Sequence, residues 1–234
     1  MIKNKLENTF EVPHEGNKLT FKYPSFKGNY GNVANAIDNE KLKRPNSSET
    51  ASLVYDAFQN KKGEYESQII EILNNAWLWE YTGNLYLPKK SDEEISNGVI
   101  LDLNSQNLKF ENGKLIMDKS SLIKRLKEND SSVKFVPFGF KTGEQTPKEL
   151  EKNDYIVARY GEEGAEKMAK IASKYRKNPY IYSFDSVNEE KARISALCWN
   201  WLGDDRLYVS GGDWGGKDDS HAFGIVPEKT GDKK

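Results

Sequence analysis

Apolar residues recur at helical spacing in several stretches of the chain. Leu53, Val54, Ala57 and Phe58 form one stripe over Glu49 to Gln59, and Ile69, Ile70, Leu73, Ala76 and Trp77 form a second. Ser120 to Glu128 turns Leu122, Ile123 and Leu126 inward, and Ala165, Met168, Ala169 and Ala172 mark a further helix closed by Asn178-Pro179. Thr146-Pro147-Lys148-Glu149 carries an N-cap, a first-turn proline and a capping-box acid, so it opens a short helix. Other segments have the pattern of strands: the aromatic alternation Trp77, Trp79, Tyr81, then Gly98 to Leu103, Leu108 to Met117, Val133 to Phe140 and Tyr155 to Arg159. Asn112-Gly113 inside the third is a hairpin signal, because both residues accept the positive φ of a type I′ turn. From Tyr180 onward only strand patterns remain: Tyr180 to Phe184, Arg193 to Trp201, Arg206 to Ser210 and Ala222 to Val226.

Helices before short, glycine-punctuated strands predict an α+β fold rather than an alternating parallel sheet. The expected organisation is a single domain over residues 1–227 and a flexible tail at 228–234. Gly211-Gly212 and Gly215-Gly216 lack the Lys-Ser/Thr and the following helix of a phosphate cradle.

The 234 residues are 36% hydrophobic and 12% aromatic, enough for a core despite a mean hydropathy of -0.80. Lys+Arg at 35 against Asp+Glu at 36 leaves no basic field, so nucleic acid is not an expected partner. One cysteine, Cys198, excludes an internal disulfide, and with only His14 and His221 beside it no Cys/His zinc site is expected. No cofactor is expected. Met1 to Phe10 lacks the apolar core of an export signal and no run reaches membrane-span length, so the expected location is cytoplasmic by default.

The segment from Ser195 to Gly224 carries most information. Large anchors (Trp199, Trp201, Leu207, Val209, Trp214, Phe223) alternate with Cys198, Asn200, Gly203, Asp204, Asp205, Tyr208, Ser210, Asp213, Gly215, Gly216, Asp218, Asp219, Ser220 and His221. Anchors that lock a backbone while polar positions face outward describe a binding loop on a rigid frame. A solvated Gly/Asp-rich hairpin connection is the plain alternative. The binding reading predicts that Asp204, Asp205, Tyr208, Ser210, Asp213, Asp218, Ser220 and His221 share one exposed face, with Trp214 and Phe223 mostly buried.

Val209-Ser-Gly-Gly-Asp-Trp214, followed by Ala222-Phe-Gly-Ile-Val226, resembles the closing strands of the formylglycine-generating-enzyme type of C-type lectin fold. The resemblance implies a C-type-lectin-like fold with helical insertions in the N-terminal portion and short antiparallel strands at the C-terminus. It also implies a scaffold of Trp199, Trp201, Arg206, Gly211, Gly212, Trp214, Phe223 and Gly224, with Trp214 plugging the core. Within that fold the segment is similar to the variable regions of diversity-generating retroelement proteins, archaeal ones included. In those, adenines of AAC or AAT codons are randomised. Such codons reach Asn, Asp, Gly, Ser, His, Tyr, Cys, Phe and Leu among others, but not Trp, Lys, Glu, Gln or Met. The polar residues named above belong to the reachable set, whereas Trp199, Trp201, Trp214 and Lys217 do not. The implied function is a non-enzymatic receptor for a protein or glycan ligand, with a hypervariable surface at about residues 195–224. Cys198 stands alone, so oxidase chemistry does not carry over.

Two other readings use the same residues. In a fixed-specificity lectin, Trp stacks on a sugar ring while Asp and Asn bind its hydroxyls. In a metal-dependent hydrolase, Asp204, Asp205, Asp213, Asp218, Asp219 and His221 would supply ligands or acid and base, although their spacing is not that of an EF-hand. Asp219-Ser220-His221 is no triad signal, because triad members converge from separate segments. Glu162, Glu163 and Glu166 beside Arg159 are best read as first-turn helix acids, and Tyr175 to Tyr182 as a helix end leading into a buried strand.

Overall fold

The computed structural model describes residues 8–199 and 203–227. Asn200, Trp201 and Leu202, the expected tail at 228–234 and residues 1–7 of the segment read for an export signal lie outside the described residues.

An N-terminal hairpin, β1 (Thr9–His14) and β2 (Asn17–Lys22), and the short β3 (Phe26–Lys27) lead into α1 (Tyr30–Asn39). None of these had a clear signal in the sequence. Then come α2 (Ser47–Gln59) and α3 (Glu64–Asn75), close to the expected helices, with an Asn46/Glu49 capping box starting α2. Trp77 has left the helix; it precedes β4 (Leu78–Leu87), which is buried along its whole length. β5 (Gly98–Asp102), the β6 (Lys109–Glu111) and β7 (Lys114–Ile116) hairpin, α4 (Lys119–Lys127) and β8 (Val133–Pro137) follow. The hairpin turns at Asn112 (φ 49°) and Gly113 (φ 74°), as the Asn-Gly pair requires. The expected run to Phe140 stops at Pro137, and β8 is only half buried because it pairs with β5 alone.

After β9 (Gly143–Glu144), the capping box of Thr146 and Glu149 starts α5 (Pro147–Glu151) as predicted. Tyr155 to Arg159 is not a strand: it is the first part of α6 (Asp154–Ala172), which is kinked at Gly161 (φ 72°). The sequence pattern misleads because Val157 and Ala158, only half-buried but apolar, fill the gap between the buried pairs Tyr155-Ile156 and Arg159-Tyr160, so the run looks continuous. β10 (Tyr180–Tyr182), β11 (Lys191–Trp199), β12 (Leu207–Asp213) and β13 (His221–Ala222) complete the chain.

The main sheet runs β3-β13-β4-β11-β12-β10-β9, with β5 and β8 attached through β4. Most neighbours are antiparallel; β10 with β12 and β13 with β4 are parallel. The fold is α+β as expected, but strands from both halves of the chain share one sheet. Side-chain alternation divides its two faces. Leu197, Leu207, Val209 and Leu78 meet α2, α3 and α6, while Ala196, Cys198, Tyr208, Trp79 and Tyr81 face α1 and the β6-β7 hairpin. Ile225 bridges Phe21 and Lys43, and Val226 N donates to Thr20 O at 2.8 Å, so the N-terminal hairpin is tied to the C-terminal strand region.

A buried polar cluster crosses the first core. The Arg159 guanidinium of α6 pairs with Glu80 of β4, and both are fully buried. Its Nε donates to Ser47 Oγ at 2.9 Å, and Nη1 donates to the Ser210 carbonyl at 2.8 Å and to Tyr155 Oη at 3.1 Å. Tyr160 Oη donates to the same carboxylate at 3.1 Å, and Tyr155 Oη to Asn84 Oδ1 at 2.7 Å. Burial pushes the Glu80 carboxyl pKa up, and the Arg159 charge pulls it back.

Arg159→Met leaves Glu80 buried without its counter-ion and is expected to cost about 3–5 kcal/mol in urea unfolding. The double change with Glu80→Met recovers part of that loss; a double variant as unstable as the sum of the singles would show that the two groups are not coupled.

Candidate functional site

The C-terminal segment forms two loops on the β11-β12 pair: one between those strands, one from Asp213 to Ser220 between β12 and β13. The pairing Leu197↔Val209, Cys198↔Tyr208 and Trp199↔Leu207 sets which residues can face solvent. Leu207 and Val209 enter the core below. Cys198 and Tyr208 go to the opposite face, yet both are buried there beneath the loops.

The first loop is held by charge. Asp205 takes φ 53°, its Oδ1 accepts from Trp199 Nε1 at 3.0 Å, and its Oδ2 lies 3.3 Å from Arg176 Nε. Asp204 accepts the Tyr208 hydroxyl on both oxygens at 3.1 Å and pairs with Arg206 Nε at 2.6 Å. Arg206 in turn reaches Glu144 at 2.9 Å. Only Gly203 of the described loop residues is fully exposed.

The second loop is held by backbone. Tyr30 N donates to Gly215 O at 3.0 Å, Gly28 N to Ser220 O at 2.9 Å, and Gly215 N to Asp213 Oδ1 at 2.9 Å. Asn29 Nδ2 adds a contact to Asp218 Oδ1 at 3.0 Å. Gly216, Asp218 and Asp219 are exposed, and Lys217 lies with its Nζ 4.6 Å from the centre of the Trp77 ring. The loops approach the same strand position: burial raises the Cys198 thiol pKa, with Lys217 opposing and Asp213 and Asp204 adding to the rise.

The expected common face is therefore only partly realised. Gly203, Gly216, Asp218 and Asp219 are exposed, and Asp204, Asp205, Asp213 and His221 are half-buried. Cys198, Tyr208, Ser210, Gly215 and Ser220 are buried and do not belong to the surface. Cys198, Tyr208 and Ser210 are strand residues under neighbouring elements. Gly215 turns inward at φ 76°, where a Cβ would come within 2.7 Å of Tyr30 Cβ. Asn200, expected here too, lies outside the described residues.

Of the expected scaffold, Phe223 is buried at 2% exposure, and Arg206 and Gly224 are buried as well. Trp199 is half-buried and packs against Tyr175 in a tilted arrangement with ring centres 5.2 Å apart. Gly211 and Gly212 sit in β12; a Cβ on Gly211 would fall 1.8 Å from Tyr155 Oη, which is already fixed by Asn84. Trp214 contradicts the expectation: it is 65% exposed. The core position beside it is filled by Tyr30, Trp79 and Ile194, so the inward turn of Gly215 leaves the indole outside.

Trp214 instead lies on the Arg193 guanidinium, whose carbon is 3.4 Å from the ring centre. This stack borders a cavity of about 310 Å³ lined also by Lys114, Leu115, Glu189, Glu190, Lys191, Ala192, Ile194 and Asp213. Arg193 precedes the segment singled out from the sequence and no local signal marks it. Trp77 shows in the sequence only as the end of a helical stripe and the start of a strand alternation.

The aspartates do not converge on a metal-like centre; among the described residues no three His, Cys, Asp or Glu side chains are so grouped. His221 Nδ1 is 2.9 Å from Ser25 Oγ, and Ser220 is buried, so the adjacent Asp-Ser-His run forms no relay. No helix among the described residues is long and apolar enough to cross a membrane.

Trp214→Ala should cost only about 0.5–2 kcal/mol, the loss of a cation-π contact, whereas Phe223→Ala should cost about 3–5 kcal/mol. Thermal melts compare the two, and equal losses would contradict this placement. Burial, then the nearby Lys27 charge, lowers the His221 pKa. The unfolded chain therefore binds this proton first as pH falls, so this contribution to stability is present above about pH 6.5 and declines below it. His221→Gln should flatten that part of the pH dependence, measured as the difference between the two unfolding curves.

No protein-family model matches the sequence, and no curated protein matches it. A solved structure described as the accommodation of massive sequence variation in Nanoarchaeota by the C-type lectin fold is similar over 96% of this chain and 100% of its own, at a TM-score of 0.57 and 15% identity. The chain has a C-type lectin fold, with its two C-terminal loops on the β11-β12 pair.

Proposed function

We propose that this chain is a non-enzymatic ligand-binding protein whose C-terminal loops form a receptor surface diversified by a retroelement. The observation that carries this reading is what occupies the exposed positions within 195–224, although reachable types also fill buried ones such as Cys198, Tyr208 and Ser210. Residue types reachable from asparagine codons occupy the exposed sites Gly203, Gly216, Asp218 and Asp219, with half-buried Asp204, Asp205 and Asp213 beside them. Leu207, Val209, Ala222 and Phe223 meanwhile carry the core from the same stretch. Substitution at the exposed sites then changes the surface while leaving the frame intact, since exposed positions usually alter stability by no more than about 0.5 kcal/mol. The similarity to a lectin-fold structure described as accommodating massive sequence variation supports the same reading. The exposed Trp214, outside the codon-reachable set, serves as a constant aromatic anchor among changing neighbours.

Fixed carbohydrate specificity is the second reading, favoured by the same exposed indole with Asp213 next to it in sequence. The two readings part at the gene. A diversified receptor has, in neighbouring DNA, a near-copy of the segment coding for residues 195–224 and a reverse-transcriptase gene. Differences between the copies should fall at template adenines, leaving the codons of Trp199, Trp201, Trp214 and Lys217 alone. Sequencing that neighbourhood checks this, and the absence of a second copy, or differences at those tryptophan codons, would leave a fixed-specificity binder.

A further inference from the structure

The groove beside Trp214 contains a cation without an ion-pair partner among the described residues. Arg193 is only 5% exposed, and its Nε is buried with no hydrogen-bond partner. Among the described residues its guanidinium has one acceptor, the Ala192 carbonyl 2.7 Å from Nη1, and no carboxylate within ion-pair distance. Trp214 covers the guanidinium at 3.4 Å and Phe184 stands 5.5 Å from it, so two rings restrain its plane. Stacking occupies the faces of a guanidinium and leaves its N–H donors, which lie in the plane, for a carboxylate.

The acids around the groove are already engaged. Glu189 lies 3.5 Å from Lys191, Glu190 is 2.9 Å from Lys119, and Asp213 accepts the Gly215 N–H. Lys114, exposed on the groove's rim, makes no ion pair among the described residues. Because the bond from a neutral N–H leaves the Asp213 charge in place, Arg193 and Lys114 against Asp213 leave a single net positive charge. The remaining walls, Leu115, Ala192, Ile194 and the indole, are apolar and offer few acceptors to hydroxyl groups.

We propose that this groove binds an acidic side chain of a peptide segment, with Arg193 meeting the carboxylate, Lys114 adding charge at the rim, and Trp214 and Leu115 packing the neighbouring aliphatic residue. The inference rests on the ligand-binding reading above and names its partner class: a protein surface bearing Glu or Asp beside an apolar residue. The apolar walls favour such a peptide over an acidic sugar, whose hydroxyls find no partner along them.

The test titrates the full chain with three probes, followed through the Arg193 Nε and Trp214 indole resonances: the acetylated, amidated tripeptide Leu-Glu-Leu, its Leu-Gln-Leu counterpart, and glucuronate. The glutamate peptide should shift both resonances at millimolar concentration and bind about tenfold tighter than the glutamine peptide. Arg193→Gln should abolish that preference; Lys114→Gln, at an exposed site, should weaken the glutamate peptide severalfold and leave the amide spectrum unchanged elsewhere. Equal binding of the two peptides, no shift at either resonance, or tighter binding of glucuronate would overturn the inference. Those results concern the groove alone, whereas the diversified surface stands or falls on the second gene copy.

Discussion

The Arg159–Glu80 pair is the constraint on which the arrangement of the C-terminal loops depends. One guanidinium joins α6 to β4 through the carboxylate, to α2 through Ser47, and to β12 through the Ser210 carbonyl. A charge pair removed from water is a costly element, and it is tolerable only when hydrogen bonds satisfy nearly every remaining donor. Here Tyr155, Tyr160 and Asn84 supply much of that network. Because its geometry is strict, it specifies how α6 sits on the sheet and hence where β12 runs. Gly211 follows from the same arrangement, since Tyr155 leaves no space for a side chain there.

Once β12 is placed, its pairing with β11 decides the fate of each polar residue in the segment. Tyr208 and Ser210 fall inside the sheet, whatever their polarity, and only residues past the strand ends reach solvent. The exit from β12 is where the tryptophan expectation fails. Tyr30 fills the core against Gly215, so Trp214 is turned outward onto Arg193. A residue expected to stabilise the frame thus becomes the most exposed large apolar side chain named among the described residues.

Much of the fold was legible because its local signals agree with its tertiary environment. The α5 capping box, the α2 stripe, the Asn112-Gly113 turn and the amphipathic stripe of Ala165 to Ala172 are short-range features, and each appears where the sequence put it. The first part of α6 was misjudged because apolar Val157 and Ala158, on its less buried side, mask its helical period. The β1-β2 hairpin and β3 were missed for a different reason: their pairing with the C-terminal strand region is long-range and leaves little local trace. For the site, residue type located the right segment but not the burial of individual positions. A serine on an interior strand looks in sequence like a serine on a loop, and Ser210 and Ser220 are both buried with hydroxyls lacking a partner. Arg193 was invisible because its role comes from the indole above it and the missing acid beside it.

The two loops differ in what holds them, and the difference bears on how each tolerates change. The β11-β12 loop depends on side chains: Asp204 holds Tyr208 and Arg206, and Asp205 holds Trp199 and Arg176. Replacing either aspartate removes the partner of a buried or half-buried group, so variation there is coupled to the frame. The β12-β13 loop is anchored chiefly through main-chain groups, with Tyr30 N on Gly215 O and Gly28 N on Ser220 O. Such bonds do not depend on which side chain occupies Gly216, Asp218 or Asp219. Variation is therefore separable from folding on the second loop and linked to it on the first, and the second lies beside the Arg193–Trp214 groove. Under the proposed function, a constant charged and aromatic pair next to a backbone-anchored loop that varies would give one surface two components: a fixed grip and an adjustable neighbour.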